Sequence, residues 1–234
     1  MELSRFSSKS VAAIGLGLAI TLTNTLAQAN ESETRAYEVS ITNITSENQF
    51  TPILAATHNR RAGMFTLGNA PRVGLAILAE TGSTGTLEAS LGASSNVGAV
   101  GTFLPDNGPD GPPLTFAGNT VEFTIESPAN FRYFSVASMI LPTNDSFVAL
   151  DTVPLPSSGS VTHLALGYDA GSEHNDEICA DIPGPTCGGS GEFSGFNGEG
   201  FVHISPGIHG AGDLSVAEYD WRNPVAKVVI TRVR

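Results

Sequence analysis

Arg35-Ala-Tyr-Glu-Val-Ser-Ile-Thr42 alternates strictly, with Tyr37, Val39 and Ile41 on one side and Glu38, Ser40 and Thr42 on the other. A period of two with one apolar face is the pattern of a half-buried strand. The same texture recurs outward along the chain. Val121, Phe123 and Ile125 alternate within 120–126, and further strands are expected at 133–141, 161–168 and 201–204. Residues 225–233 form a nearly continuous β-branched run suited to a central strand. Residues 51–57 are a short apolar run leading to His58-Asn59. Helical signals are few: Pro71 opens a stretch with Leu75, Leu78 and Ala79 on one face and Gly82 as its stop, and a second short helix is expected at 87–91. The Pro/Gly segment 104–115 reads as a loop, with Asp106 and Asp110 as turn residues. Strands outnumber helices, so the expected fold is all-β: an antiparallel β-sandwich with a small helical insertion.

Residues 1–29 read as a signal peptide. Arg5 and Lys9 supply positive charge, 11–26 is largely apolar, and Ala27-Gln28-Ala29 has the small-x-small pattern of a signal peptidase site. The expected mature chain, 30–234, shows no internal repeat or interdomain linker and reads as one domain, secreted or periplasmic, without a transmembrane segment. Its net charge of -12 becomes -13 once Glu2, Arg5 and Lys9 are removed. Such an acidic chain argues against nucleic acid and anionic lipid as partners, since both demand clustered Lys and Arg. Cys179 and Cys187 are the only cysteines, and an even pair in an exported protein is expected to form a disulfide.

Chemistry concentrates in two segments, Leu141-Pro-Thr-Asn-Asp-Ser-Phe-Val-Ala-Leu-Asp151 and Tyr168-Asp-Ala-Gly-Ser-Glu-His-Asn-Asp-Glu177. They place Asp145, Asp151, Asp169, Glu173, Asp176 and Glu177 around the expected strand 161–168. Carboxylates gathered in loops at one end of a β-structure repel one another unless a cation lies between them. Hard oxygen donors without thiolates select Ca²⁺ or Mg²⁺. The competing reading is that Asp, Asn, Ser and Gly are simply the residues of turns.

Four stretches together resemble the spondin domain, the N-terminal module of F-spondin and mindin, a family with bacterial exported forms. They are Phe50-Thr-Pro-Ile-Leu-Ala-Ala-Thr-His58 with the helix after it, Phe134-Ser-Val-Ala-Ser-Met-Ile-Leu-Pro-Thr-Asn-Asp-Ser-Phe147, Tyr168-Asp-Ala-Gly-Ser-Glu173, and Asn223-Pro-Val-Ala-Lys-Val-Val-Ile-Thr-Arg-Val-Arg234. The resemblance implies a C2-like sandwich with a divalent cation, usually calcium, held by loop carboxylates. Carried onto this chain it implies Asp145, Asp151, Asp169 and Glu173 as ligands, Glu173 standing where the family usually has Asp. It also implies a secreted, non-enzymatic adhesion or binding module for an extracellular or envelope protein or glycan.

His203 and His209, six apart across a Pro-Gly turn, lack an obvious third ligand and read as polar loop residues. Trp221 reads as a core plug within a packed approach to the last strand, and His58 has no assignable chemistry. No Gly-x-Ser-x-Gly elbow, P-loop or zinc-protease helix appears. The alternative function is a metal-assisted extracellular hydrolase using a carboxylate pair or the His203/His209 region.

Overall fold

A computed structural model describes residues 34–108 and 111–233. The expected signal peptide, its cleavage point before Asn30 and the turn residue Asp110 lie outside the described residues.

The chain forms β1 (Thr34–Asn43), β2 (Gln49–Phe50), β3 (Ile53–His58), α1 (Val73–Thr81), α2 (Gly85–Gly92), β4 (Val97–Phe103), β5 (Thr120–Pro128), β6 (Tyr133–Leu141), β7 (Ser146–Pro154), β8 (Ser160–Asp169), β9 (His203–Ile204), α3 (Val216–Tyr219) and β10 (Ala226–Arg232). Every strand pairing is antiparallel, in the order β4-β3-β6-β7-β8-β10-β1-β5, with β2 on β6 and β9 on β8. The fold is all-β, as the alternation predicts.

One strand joins the two layers. Residues 160–165 of β8 pair with β10, and residues 166–169 pair with β7. Strand β8 therefore crosses from one layer to the other, a common way of building a sandwich corner. At the far side the free edges approach: Phe103 of β4 stacks on Phe123 of β5 with ring centroids 3.8 Å apart, and Thr57 Oγ1 donates to the Glu126 carbonyl at 2.8 Å.

Side-chain alternation on β3 explains its continuous apolar run. Ile53 and Ala55 pack between the layers with Phe50, Phe134 and Val228, whereas Leu54 and Ala56 pack outward under the helices with Leu75, Leu78, Leu87 and Leu91. Both faces of this strand are buried, so no polar alternation survives. Each fully buried Leu or Phe contributes roughly 1.5–3 kcal/mol. Helix α1 starts two residues after Pro71 and stops at Gly82, whose φ of 72° lets its N–H cap the Leu78 carbonyl.

Strands β2, β4 and β7 and helix α3 have no counterpart in the sequence reading. β4 (Val97-Gly-Ala-Val-Gly-Thr-Phe103) is too glycine-rich to alternate clearly, and β7 is interrupted. The β6–β7 register shifts so that Asp151 and Thr152 oppose Ser135, and Thr152 has φ 56°. Two residues opposite one is a β-bulge, which re-aims side chains. Cys179 and Cys187 form the expected disulfide, Cα atoms 4.7 Å apart. Trp221 joins the inter-layer core as a plug, only 8% exposed.

Candidate metal centre

Strands β6, β7 and β8 share an end, where Leu141, Ser146 and Asp169 lie together. The turn between β6 and β7 is built by its own side chains: Thr143 Oγ1 accepts the Ser146 N–H at 3.1 Å, leaving Asn144 and Asp145 at the tip. Asn144 accepts the Glu177 N–H at 3.0 Å and donates to Asp176 at 3.1 Å, tying the two acidic segments together.

Asp145 and Asp169 are fully buried here. Asp145 Oδ2 accepts the N–H groups of Ser172 (2.7 Å) and Glu173 (3.0 Å), while Oδ1 is buried without a hydrogen-bond partner. Asp169 Oδ1 accepts the Gly171 N–H at 2.7 Å, and Oδ2 accepts Asn175 Nδ2 at 2.9 Å. Gly171 must be glycine: its φ is 65°, and a Cβ would fall 2.3 Å from the Phe201 carbonyl oxygen. That close approach brings in the 199–203 segment. Gly200 N–H bonds the Gly171 carbonyl at 2.7 Å, and β9 pairs His203 directly opposite Asp169.

The pairing puts both side chains on one face. His203 Nε2 lies 3.4 Å from Asp169 Oδ1 and 3.9 Å from Glu199 Oε2. The other ring nitrogen, Nδ1, is 3.0 Å from the Ile204 carbonyl, which requires Nδ1 to be the donor. In the neutral ring this leaves a lone pair on Nε2, buried and unpartnered, facing the carboxylates. A backbone carbonyl fixing the tautomer so is the usual arrangement of a metal-binding histidine. One ligand atom from each of Asp169, Glu199 and His203 lies within 4.8 Å of the others.

Electrostatics agree with the geometry. Burial, and then the neighbouring Asp169, push the Asp145 carboxyl well above the ordinary carboxylate range, and burial raises Asp169. Two buried, electrostatically coupled carboxylates favour a proton or a cation between them. Asp169, Glu199 and His203 form a donor set that would fit a divalent ion, and Asp145, electrostatically coupled to Asp169, adds an oxygen without a hydrogen-bond partner beside it.

The structure brings together two of the four sequence-predicted ligands. Glu173 adjoins them through its backbone, but its carboxyl belongs to a neighbouring group. Burial first and Glu80 second push it up to about 8. Glu80 is itself buried on α1, with Oε2 accepting the Ser194 N–H at 2.6 Å. Asp151 lies elsewhere. Six residues along β7 from Asp145 is about 20 Å, and the bulge turns its carboxylate to Met64 N–H (2.5 Å), Ser135 Oγ (3.1 Å) and Thr152 Oγ1 (2.8 Å). Its role there is to hold the loop after β3.

Glu199 and His203 replace them in the cluster. The fold, not sequence spacing, makes that connection, because the β8–β9 pairing spans more than thirty residues. His209 stands apart in a groove with Trp221 and Arg222. Glu177 clamps that segment, accepting the N–H groups of His209 (2.6 Å) and Ala211 (2.8 Å). His58 acquires a partner in Ser135, with Nε2 2.7 Å from Ser135 Oγ, which in turn reaches Asp151. The order differs from a nucleophilic triad: there the imidazole lies between hydroxyl and carboxylate, whereas here the hydroxyl does.

The sequence model of the Spondin_N family matches residues 33–174, which include β1 through β8 and three of the four stretches that carry the resemblance. No curated protein matches the chain. With the family match spanning more than half of its length, the chain belongs to the spondin N-terminal domain family.

Proposed function

We propose that this chain is a secreted, non-enzymatic binding module in which a divalent cation, calcium, ties the loops of the acidic end into a ligand-facing surface. The observation that carries this reading is the Asp145–Asp169 pair: two buried carboxylates in electrostatic contact, one with an oxygen that has no partner. Family membership supports an extracellular binding role. The Cys179–Cys187 disulfide suits an oxidising compartment. Among the described residues no helix is long and apolar enough to cross a membrane.

Asp145, Asp169 and Glu199 offer the hard oxygens that calcium or magnesium prefers. Joining them turns repulsion among 143–145, 169–177 and 199–203 into a shared attraction. Coordination positions left to solvent would then accept an oxygen-rich group from an extracellular or envelope protein or glycan. Equilibrium dialysis of chelator-treated protein is expected to find one calcium per chain, lost in Asp145→Asn. Undiminished uptake by that variant would overturn the assignment.

His203 favours one second reading, because an imidazole nitrogen shifts preference toward Mn²⁺ or Zn²⁺ and suits metal-assisted hydrolysis. Turnover of an ester, peptide or glycoside that vanishes in His203→Ala would establish it in place of the binding module.

A further inference from the structure

The opposite end of the sandwich carries opposite charge. Strands β6, β7 and β8 have their other termini at Tyr133, Pro154 and Ser160, with Arg232 of β10 bonded to Gly159 beside them. Of the nine Lys and Arg residues after Ala29, six line two depressions at this end. Arg35, Arg132 and Arg232 line one of about 410 Å³; Arg60, Arg61 and Arg72 line the other, of about 220 Å³. The single acidic group in either lining is Asp151, already occupied by three donors.

Tyr133 joins the two. It lines the larger depression, its hydroxyl accepts Arg60 Nε at 2.9 Å, and the Arg60 guanidinium lies 5.2 Å from the ring centroid. Arg61, Arg72 and Arg132 are exposed and make no side-chain hydrogen bond or ion pair within the described chain. Arg35 Nε is buried without a partner. Arginines gathered on an acidic protein, Arg61, Arg72 and Arg132 among them without a side-chain partner, oppose that protein's own field only locally. They therefore attract an anion that can enter the depressions rather than a broad charged surface.

We infer that this basic end binds an acidic polysaccharide, its carboxylate or sulfate groups held by the two arginine trios and a sugar ring laid against Tyr133. Pro154, Leu155 and Pro156 give the larger depression apolar walls for the C–H face of a sugar. Guanidinium forks match carboxylate and sulfate oxygens in pairs. Both depressions lie toward or below the small end of the ~300–1,000 Å³ range of ligand clefts, a scale suited to individual charged rings. The inference goes beyond the cation end and does not rest on it.

The test measures binding of polygalacturonate and heparin, with neutral dextran and duplex DNA alongside, at low and high salt, in calcium and in chelator. The expected result is binding of at least one acidic polysaccharide over dextran and DNA, weakened by salt and unchanged by chelator or by Asp169→Asn. Arg61→Glu with Arg132→Glu is expected to weaken it by about tenfold or more, equivalent to ~1.4 kcal/mol. If that pair fails to fold, Arg61→Gln with Arg132→Gln serves, read against its melting curve. No binding to either acidic polysaccharide, undiminished binding by a folded variant, loss on chelation, or preference for DNA would each overturn it.

Discussion

The two ends of this sandwich solve the problem of like charge in contrasting ways. At the acidic end the chain buries carboxylates and surrounds them with N–H donors, leaving Asp145 Oδ1 and His203 Nε2 without hydrogen-bond partners. At the basic end it leaves Arg60, Arg61, Arg72 and Arg132 in solvent, where repulsion is screened and inexpensive. A buried cluster is coupled to folding, since its charges are tolerated only with a proton or a cation between them. An exposed cluster is nearly free of the fold and available to a ligand. Stability should therefore answer to chemistry at the first end and hardly at all to chemistry at the second.

The largest effect expected is that of calcium on melting. At a hundredfold excess over its Kd, a ligand bound only by the folded state adds ~2.7 kcal/mol, or about 5–10 °C for a domain of this size. Hydrogen exchange should slow in 143–145, 169–177 and 199–203 and stay unchanged around Tyr133. Slowing at both ends alike would break the contrast.

Next is the disulfide, which closes a short loop just beyond the acidic segment. Cys179→Ser with Cys187→Ser is expected to cost ~2.5 kcal/mol by the loop-entropy estimate and to lower calcium affinity. A variant that melts lower yet binds calcium as tightly would separate the loop from the site.

A smaller effect is expected from pH. Glu173 is raised from 4.5 to about 8 in the fold, so the folded protein holds a proton there that the unfolded chain has lost. Its stabilising contribution is complete below about 4.5 and is lost as pH rises through about 8. Melting temperature without metal should fall across that window, and Glu173→Gln should flatten the fall. A melting temperature that instead rises across it would refute the burial argument.

The smallest effect belongs to the basic end: Arg61→Glu should alter stability by no more than ~0.5 kcal/mol, as for an isolated surface change. A larger loss in thermal or denaturant melts would mean that the arginines hold the fold together.

Strand periodicity made much of this architecture legible. β1, β5, β6, β8 and β10 announce themselves by alternation or β-branched runs, and Pro71 and Gly82 bracket α1. β4 was hidden by its glycines and β7 by its bulge. Of the candidate site, the proximity of Asp145 and Asp169 was legible. Asp145 and Asp169 end adjacent elements of a repeated β-turn-β pattern, so their meeting follows from hairpin topology. Asp151 misled because one inserted residue re-aims a side chain, an event that alternation cannot register. Glu199 and His203 reach the cluster through a two-residue strand, β9, and a glycine contact at Gly171. The basic end was invisible for the same reason: its arginines are spread from 35 to 232 and only the strand termini gather them.

Calorimetric titration of calcium into chelator-treated protein near neutral pH tests the cation end most directly, comparing wild type with Asp145→Asn and Asp151→Asn. Expected are a single site in the wild type with protons released on binding, near-complete loss in Asp145→Asn, and retention in Asp151→Asn. No binding to the wild type, or equal loss in the two variants, would contradict it.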